Sequence, residues 1–148
     1  MMCKMGNCRQ WILPILIWLL VIFVAVNLVF YSIPRKLITV HSFTTNKQEY
    51  KTGDLIIGTI IADVYYAGNV TTSLYLLCNR TSYFIKTIDS FLDTTANKIT
   101  TPMGTVPADV YPPDCKVQVQ TTFHIQVLPW LVRDQTVTYY SSNFKVIN

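Results

Sequence analysis

Cys115–Val127, CKVQVQTTFHIQV, decides the fold. Cys115, Val117, Val119, Thr121, Phe123, Ile125 and Val127 share one parity, while Lys116, Gln118, Gln120, Thr122, His124 and Gln126 share the other. Successive side chains of a strand point to opposite faces, so this alternation predicts a half-buried antiparallel strand. The same period of two extends through residues 37–148. LITVHSF (37–43) reads as a strand, and LIIGTIIADVYY (55–66) as a long one with Ile56, Ile60, Ala62, Val64 and Tyr66 on one face. VTTSLYLLC (70–78) places Val70, Leu74, Leu76 and Cys78 together, and SYFIKTIDSFL (82–92) follows it. Gly53-Asp54 and AGN (67–69) read as turns. Residues 93–105 read as a polar connection and Pro-rich 106–114 as an edge or loop. LPWLVRD (128–134) reads as a turn with Pro129 and Trp130 capping a hairpin, and 135–147 as one bent strand or two short ones. Roughly seven to nine strands without a helical period predict a mainly β fold, an antiparallel β-sandwich.

Ahead of this domain stands Trp11–Tyr31, WILPILIWLLVIFVAVNLVFY, 21 residues without a charge. As a helix it would span about 30 Å, the thickness of a bilayer core. Fifteen of its residues are Leu, Ile, Val or Phe, which makes membrane insertion favourable by several kcal/mol. Trp11 and Tyr31 sit where aromatic rings prefer the interface. Pro14 is expected in the first turn, where no hydrogen bond is lost. The run is too long for a signal-peptide core of about 7–15 residues, and Phe23 spoils a cleavage site after Ala25. The expected organisation is a basic tail at 1–10, a transmembrane signal-anchor helix at 11–32, a linker at 33–36 and an extracytoplasmic sandwich at 37–148. The short tail favours a cytoplasmic N-terminus and a periplasmic or extracellular domain. The lipid bilayer is therefore the first expected partner.

Charge follows this division. Residues 1–36 carry Lys4, Arg9, Arg35 and Lys36 and no acid, whereas residues 37–148 balance eight basic against eight acidic side chains. A domain without basic excess is not expected to bind nucleic acid.

Cys78 and Cys115 fall on the apolar parity of their strands and could bridge facing sheets in an oxidising compartment. Two buried free thiols fit the same pattern. No Trp lies between them, and Pro113 stands two residues before Cys115, so the antibody-type signature is not met. Asn27 could find water at the interface or hydrogen-bond a second helix. Asn69-Val70-Thr71 and Asn79-Arg80-Thr81 match the glycosylation triplet, a common chance match in a Thr-rich chain. Cys3 and Cys8 are too few for a zinc site, although thiols beside a membrane can carry palmitate.

The catalytic inventory is thin. His41 and His124 are the only histidines and Glu49 is the only glutamate. Neither a nucleophile motif nor a phosphate loop occurs. No catalytic residue, metal or cofactor is expected, and a hydrolase built on the histidines is the least favoured alternative. Each adjacent aromatic pair places one ring outward. Tyr65, Tyr75, Tyr83 and Tyr139 are the candidate protein-binding rings, unless the aromatics merely form a cross-strand ladder.

Tyr50 and Gly53-Asp54 open the long strand, Arg80 follows Cys78, Val106-Pro107 precedes the Cys115 strand, and Ser141–Val146, SSNFKV, closes the chain. With the N-terminal span, this layout resembles the small membrane-anchored Ig-like proteins of tailed bacteriophages. Their domains open with Tyr-x-x-Gly-Asp and close with Ser-x-x-Phe-x-Val. Where they carry Asn-Pro before an Arg, this chain has Leu128-Pro129-Trp130. The resemblance implies an Ig-like sandwich outside the inner membrane with no enzymatic role, and a protein partner in the envelope or virion. An assembly component that oligomerises through Asn27 is the main alternative.

Overall fold

The computed structural model describes residues 8–31, 36–110 and 114–147. The expected tail through Asn7, the linker at 33–35 and Tyr111–Pro113 lie outside the described residues. The chain divides into two compact units, Met1–Pro34 and Arg35–Asn148.

The first unit is a helix, α1 (Cys8–Tyr31). Ile12–Phe30 is long and apolar enough to cross a membrane, and none of it is buried. The helix starts three residues earlier than the apolar run, so Pro14 lies inside it rather than in its first turn. There the ring removes the N–H that would reach the carbonyl of Gln10. Asn27 donates its side-chain N–H to the Phe23 carbonyl at 2.8 Å.

Among the described residues the second unit holds nine strands: β1 (Ile38–Thr45), β2 (Glu49–Lys51), β3 (Leu55–Val64), β4 (Gly68–Cys78), β5 (Thr81–Leu92), β6 (Lys98–Thr105), β7 (Asp114–Leu128), β8 (Leu131–Tyr140) and β9 (Phe144–Ile147). They form two sheets packed as a sandwich. The smaller runs β1-β3-β6. The larger runs β2-β9-β7-β4-β5, with β8 also on β7. β8 and β9 share one edge of β7. β9 pairs beside Asp114–Cys115 and β8 beside Gln118–Leu128. The bend between them is fixed by Ser141, whose N–H donates to Val117 O at 2.9 Å and whose Oγ accepts from Val117 N at 2.9 Å.

The odd residues of β7 face inward as the alternation requires. Val117, Val119 and Phe123 are fully buried, as are Ile56 of β3, Leu74 and Leu76 of β4 and Met103 of β6. Asn79 takes a positive φ of 54° in the two-residue β4–β5 turn, a conformation that Asn tolerates. The Gly53 turn has φ 84°. After it, the Asp54 carboxylate accepts from Lys51 N and Lys47 Nζ, each at 3.1 Å. Those hydrogen bonds hold the Asp54 carboxyl below its usual value.

Two strands escape the sequence reading. β2 is three residues long and pairs parallel to β9, too short to register as alternation. β6 occupies the expected polar connection at 93–105. Only Met103 of β6 is buried, and the strand carries Pro102 and Gly104. An edge strand tolerates both residues, and a bulge between Ile56 and Ile57 accommodates them. β6 closes the sandwich against β5. Lys86 Nζ donates to Pro102 O at 2.8 Å, and Ile85 packs where a Gly104 Cβ would stand.

One end of the sandwich is set by the chain's entry. β1 starts there with Ile38 opposite Val64. β4 starts there, β5 ends there with Leu92 opposite Gly68, and β7 passes Val70 at Phe123 on its way to the β7–β8 turn. The Cys78 and Cys115 pair lies at the opposite end.

Gly104 combines φ 142° with the close Ile85 side chain. Gly104→Ala is expected to lower unfolding free energy by about 1–3 kcal/mol through backbone strain and overpacking. The urea midpoint measures this, and an unchanged midpoint would exclude the β5–β6 closure.

Candidate functional site

The outer face of the large sheet carries the most organised set of exposed side chains. Phe84 of β5, Tyr75 of β4, Gln118 of β7 and Tyr140 of β8 stand in one cross-strand row. Phe84 is 58% exposed and Tyr140 49%. The Tyr75 and Phe84 rings meet edge to face at 5.6 Å, and Lys116 Nζ lies 4.5 Å from the Tyr140 ring centre. This is a flat aromatic strip with one cation.

The strip differs from the four tyrosines expected from the sequence. Tyr65 is exposed at the end of β3, with Lys36 Nζ 5.1 Å from its ring centre. Tyr75 faces outward in the strip. Tyr83 and Tyr139 do not. Tyr83 lies opposite inward-facing Leu76, and its OH donates to Asp109 O at 3.3 Å. A bulge between Leu74 and Tyr75, accommodating the extra residue Ile85 on β5, shifts parity and presents Phe84 instead. Tyr139 lies opposite Val119 on the core side, so Tyr140 takes the outward place. Its OH hydrogen-bonds Thr121 Oγ1 at 3.0 Å and its ring meets Phe43 at 6.1 Å. Burial raises the Tyr139 phenol above its ordinary value of 10.0, against the lowering effect of the Thr121 bond. Adjacent aromatics announce that one of two rings faces out, but bulges and register decide which.

Towards the entry end the same face becomes polar. Thr71 Oγ1 donates to Asp89 Oδ1 at 2.7 Å and lies 2.8 Å from His124 Nε2, while His124 Nδ1 lies 2.8 Å from Asp134 Oδ1. Thr122 and Thr136 share a hydrogen bond at 2.8 Å, and Ser73 and Thr87 one at 3.1 Å. Thr71, His124 and Asp134 have the composition of a hydrolase triad, but Thr71 is also bonded to the Asp89 carboxylate. Thr71 Oγ1 gives its proton to Asp89 Oδ1, and the imidazole tautomer sets which atom donates between Thr71 and His124. Backbone N–H groups of interior strands are engaged in the ladder and offer no oxyanion pair. The row ties β5, β4, β7 and β8 together. The other histidine, His41, is the residue inserted at the β1 bulge, and its Nε2 contacts Asp63 Oδ2 at 2.7 Å on the outer face of the small sheet. Both His–Asp pairs are substantially exposed, where ion pairs contribute little. Among the described residues no cluster of three or more His, Cys, Asp or Glu could hold a metal ion.

Cys78 and Cys115 form a disulfide. It does not join facing sheets. The two residues are direct partners on neighbouring strands β4 and β7 of one sheet, with Cα atoms 4.2 Å apart. Shared parity on two strands fits either arrangement, and only the pairing decides. The Asn27 side chain donates one N–H to the Phe23 carbonyl of its own helix.

Between the sheets, near the entry end, lies a largely apolar cavity of about 390 Å³. Ile60, Leu74, Ile88, Ile99 and Met103 line it, with the hydroxyls of Thr72, Thr121 and Tyr139. Its volume is near the lower end of the roughly 300–1,000 Å³ range of small-molecule pockets.

No protein-family model matches the chain, and no curated protein matches it. Among solved structures it is similar to Spo0M, the sporulation control protein of Bacillus subtilis, at 16% identity and a TM-score of 0.37. The match covers 74% of this chain and 49% of that one, so the chain spans about half of that structure.

The disulfide closes a sequence separation of 37 residues. Its loss is expected to cost about 3–4 kcal/mol in the chain-entropy account. Urea unfolding with and without reductant checks this: reduced wild type and Cys78→Ser/Cys115→Ser should share a midpoint below that of the oxidised protein. Equal midpoints with and without reductant would contradict it.

Proposed function

We propose that the chain is a single-pass membrane protein that displays a non-enzymatic β-sandwich outside the membrane and docks a protein partner on the outer face of its large sheet. The observation that carries this reading is the aromatic strip of Phe84, Tyr75 and Tyr140 on a sheet face, in a chain that also holds an unburied apolar helix at Ile12–Phe30. Large exposed rings are costly to leave in water and gain most from burial against a partner. The Cys78–Cys115 bond supports an oxidising compartment for the domain, which agrees with a cytoplasmic N-terminus. The resemblance to phage-borne anchored sandwiches supports a partner in the cell envelope or virion.

Maleimide-polymer labelling tests the topology. Cys3 and Cys8 should label only in opened cells, and Cys78 and Cys115 only after reduction and unfolding. Labelling of Cys3 and Cys8 in sealed cells would reverse the orientation.

Photo-crosslinking from position 84 tests the docking face. A discrete protein adduct that vanishes in Tyr75→Ser/Tyr140→Ser is expected. An adduct indifferent to that variant, or none at all, would remove the strip as the docking site.

A further inference from the structure

The β7–β8 hairpin carries a feature that the aromatic strip does not explain. Its tip, Val127 to Val132, reads VLPWLV and holds no charge. Trp130 is 82% exposed, Leu131 45% and Val132 57%. Trp130 is the most exposed large hydrophobic residue among those described, the helix included. The hairpin also overhangs. Phe123 is the last β7 residue paired with β4, yet β7 continues to Leu128 before turning. β4 itself begins at Gly68 and Ile125 is still buried, so the hairpin projects beyond β4 by about three residues, roughly 10 Å.

The location selects the occupant. The turn lies at the entry end of the sandwich, where β1 begins at Ile38 opposite Val64. Only five residues, 32–36, separate Tyr31 of the helix from Leu37. Six peptide steps reach at most about 22 Å. A helix held in a bilayer therefore keeps the start of β1 near the membrane surface. The Trp130 turn lies at the same end of the domain as Ile38.

The chemistry agrees. Trp prefers the boundary between hydrocarbon and headgroups. Leu131 and Val132 gain by leaving water. No charged side chain lies within Val127–Val132, and the guanidinium of Arg133, next in the chain, can stay at the headgroup level. The nearest acid on the hairpin, Asp134, is already bonded to His124 at 2.8 Å.

We infer that the Trp130–Val132 tip is a second membrane contact, inserted in the interfacial layer of the bilayer that holds the helix. This rests on the membrane-anchored reading above, but not on which side the domain occupies. The two contacts would fix the tilt of the sandwich over the membrane and hold the aromatic strip at a set height and angle. Because the inserted residues Trp130–Val132 carry no charge, the contact should form without anionic lipid.

Tryptophan fluorescence tests it on the full chain in phosphatidylcholine vesicles. Trp11→Phe/Trp18→Phe leaves Trp130 as the only tryptophan. Subtracting the spectrum of Trp130→Phe from that of the wild type gives the same signal without altering the helix. The expected result is a blue-shifted Trp130 emission, shielded from aqueous iodide and quenched by lipids brominated near the headgroup. This should hold without phosphatidylglycerol. Vesicle flotation separates the two ideas. A chain that floats while Trp130 stays red-shifted, open to iodide and insensitive to brominated lipid overturns the tip contact alone. A chain that does not float overturns the anchored reading and the tip contact with it.

Discussion

The strand β7 is the constraint on which the sandwich depends. Its inward residues Val117, Val119, Phe123 and Ile125 are buried, and β4, β8 and β9 all pair with it. Because side chains alternate with a period of two, slipping β7 by one residue would turn Phe123 into water and Gln118 into the core. The Cys78–Cys115 bond locks the far end of the β4–β7 pairing in one register. The Thr71, His124 and Asp134 row marks the same register near the entry end. Everything on the outer face, aromatic or polar, inherits its position from this ladder.

The two edges are managed differently. β5 exposes much of its surface and has no fully buried residue. It is held to the smaller sheet by a lysine reaching a carbonyl and by Ile85 seated over Gly104. The cavity near the entry end lies behind this edge, with Ile88 and Ile99 among its walls. The opposite side is closed by Ser142, whose N–H donates to Phe43 O at 3.0 Å, and by the Phe43 and Tyr139 rings.

Much of the architecture was legible from residue order. Long alternating runs identified β1, β3, β4, β5 and β7 because half-buried strands cannot hide their period. Segments with little buried side chain gave no such signal. β6, with Met103 as its one buried residue, looked like a polar connection. β2 was too short to count. The candidate site was less legible still. Pairs such as Tyr83–Phe84 and Tyr139–Tyr140 require one ring inside, but the choice turned on the Ile85 bulge and on the register of β8. The Thr71–His124 contact spans 53 residues and had no local trace.

By itself the sequence determined an uncharged apolar helix followed by a β domain, since hydrophobic length and period are properties of neighbouring residues. It also placed both Cys78 and Cys115 on the core face. Tertiary structure decided that these cysteines are partners within one sheet and that Phe84 and Tyr140 face outward in place of Tyr83 and Tyr139. It also brought the Trp130 turn to the end where the chain enters the domain. The physical reason is the same in each case. Strand pairing joins residues far apart in the chain, and bulges shift parity by one, so neither can be read from a single strand.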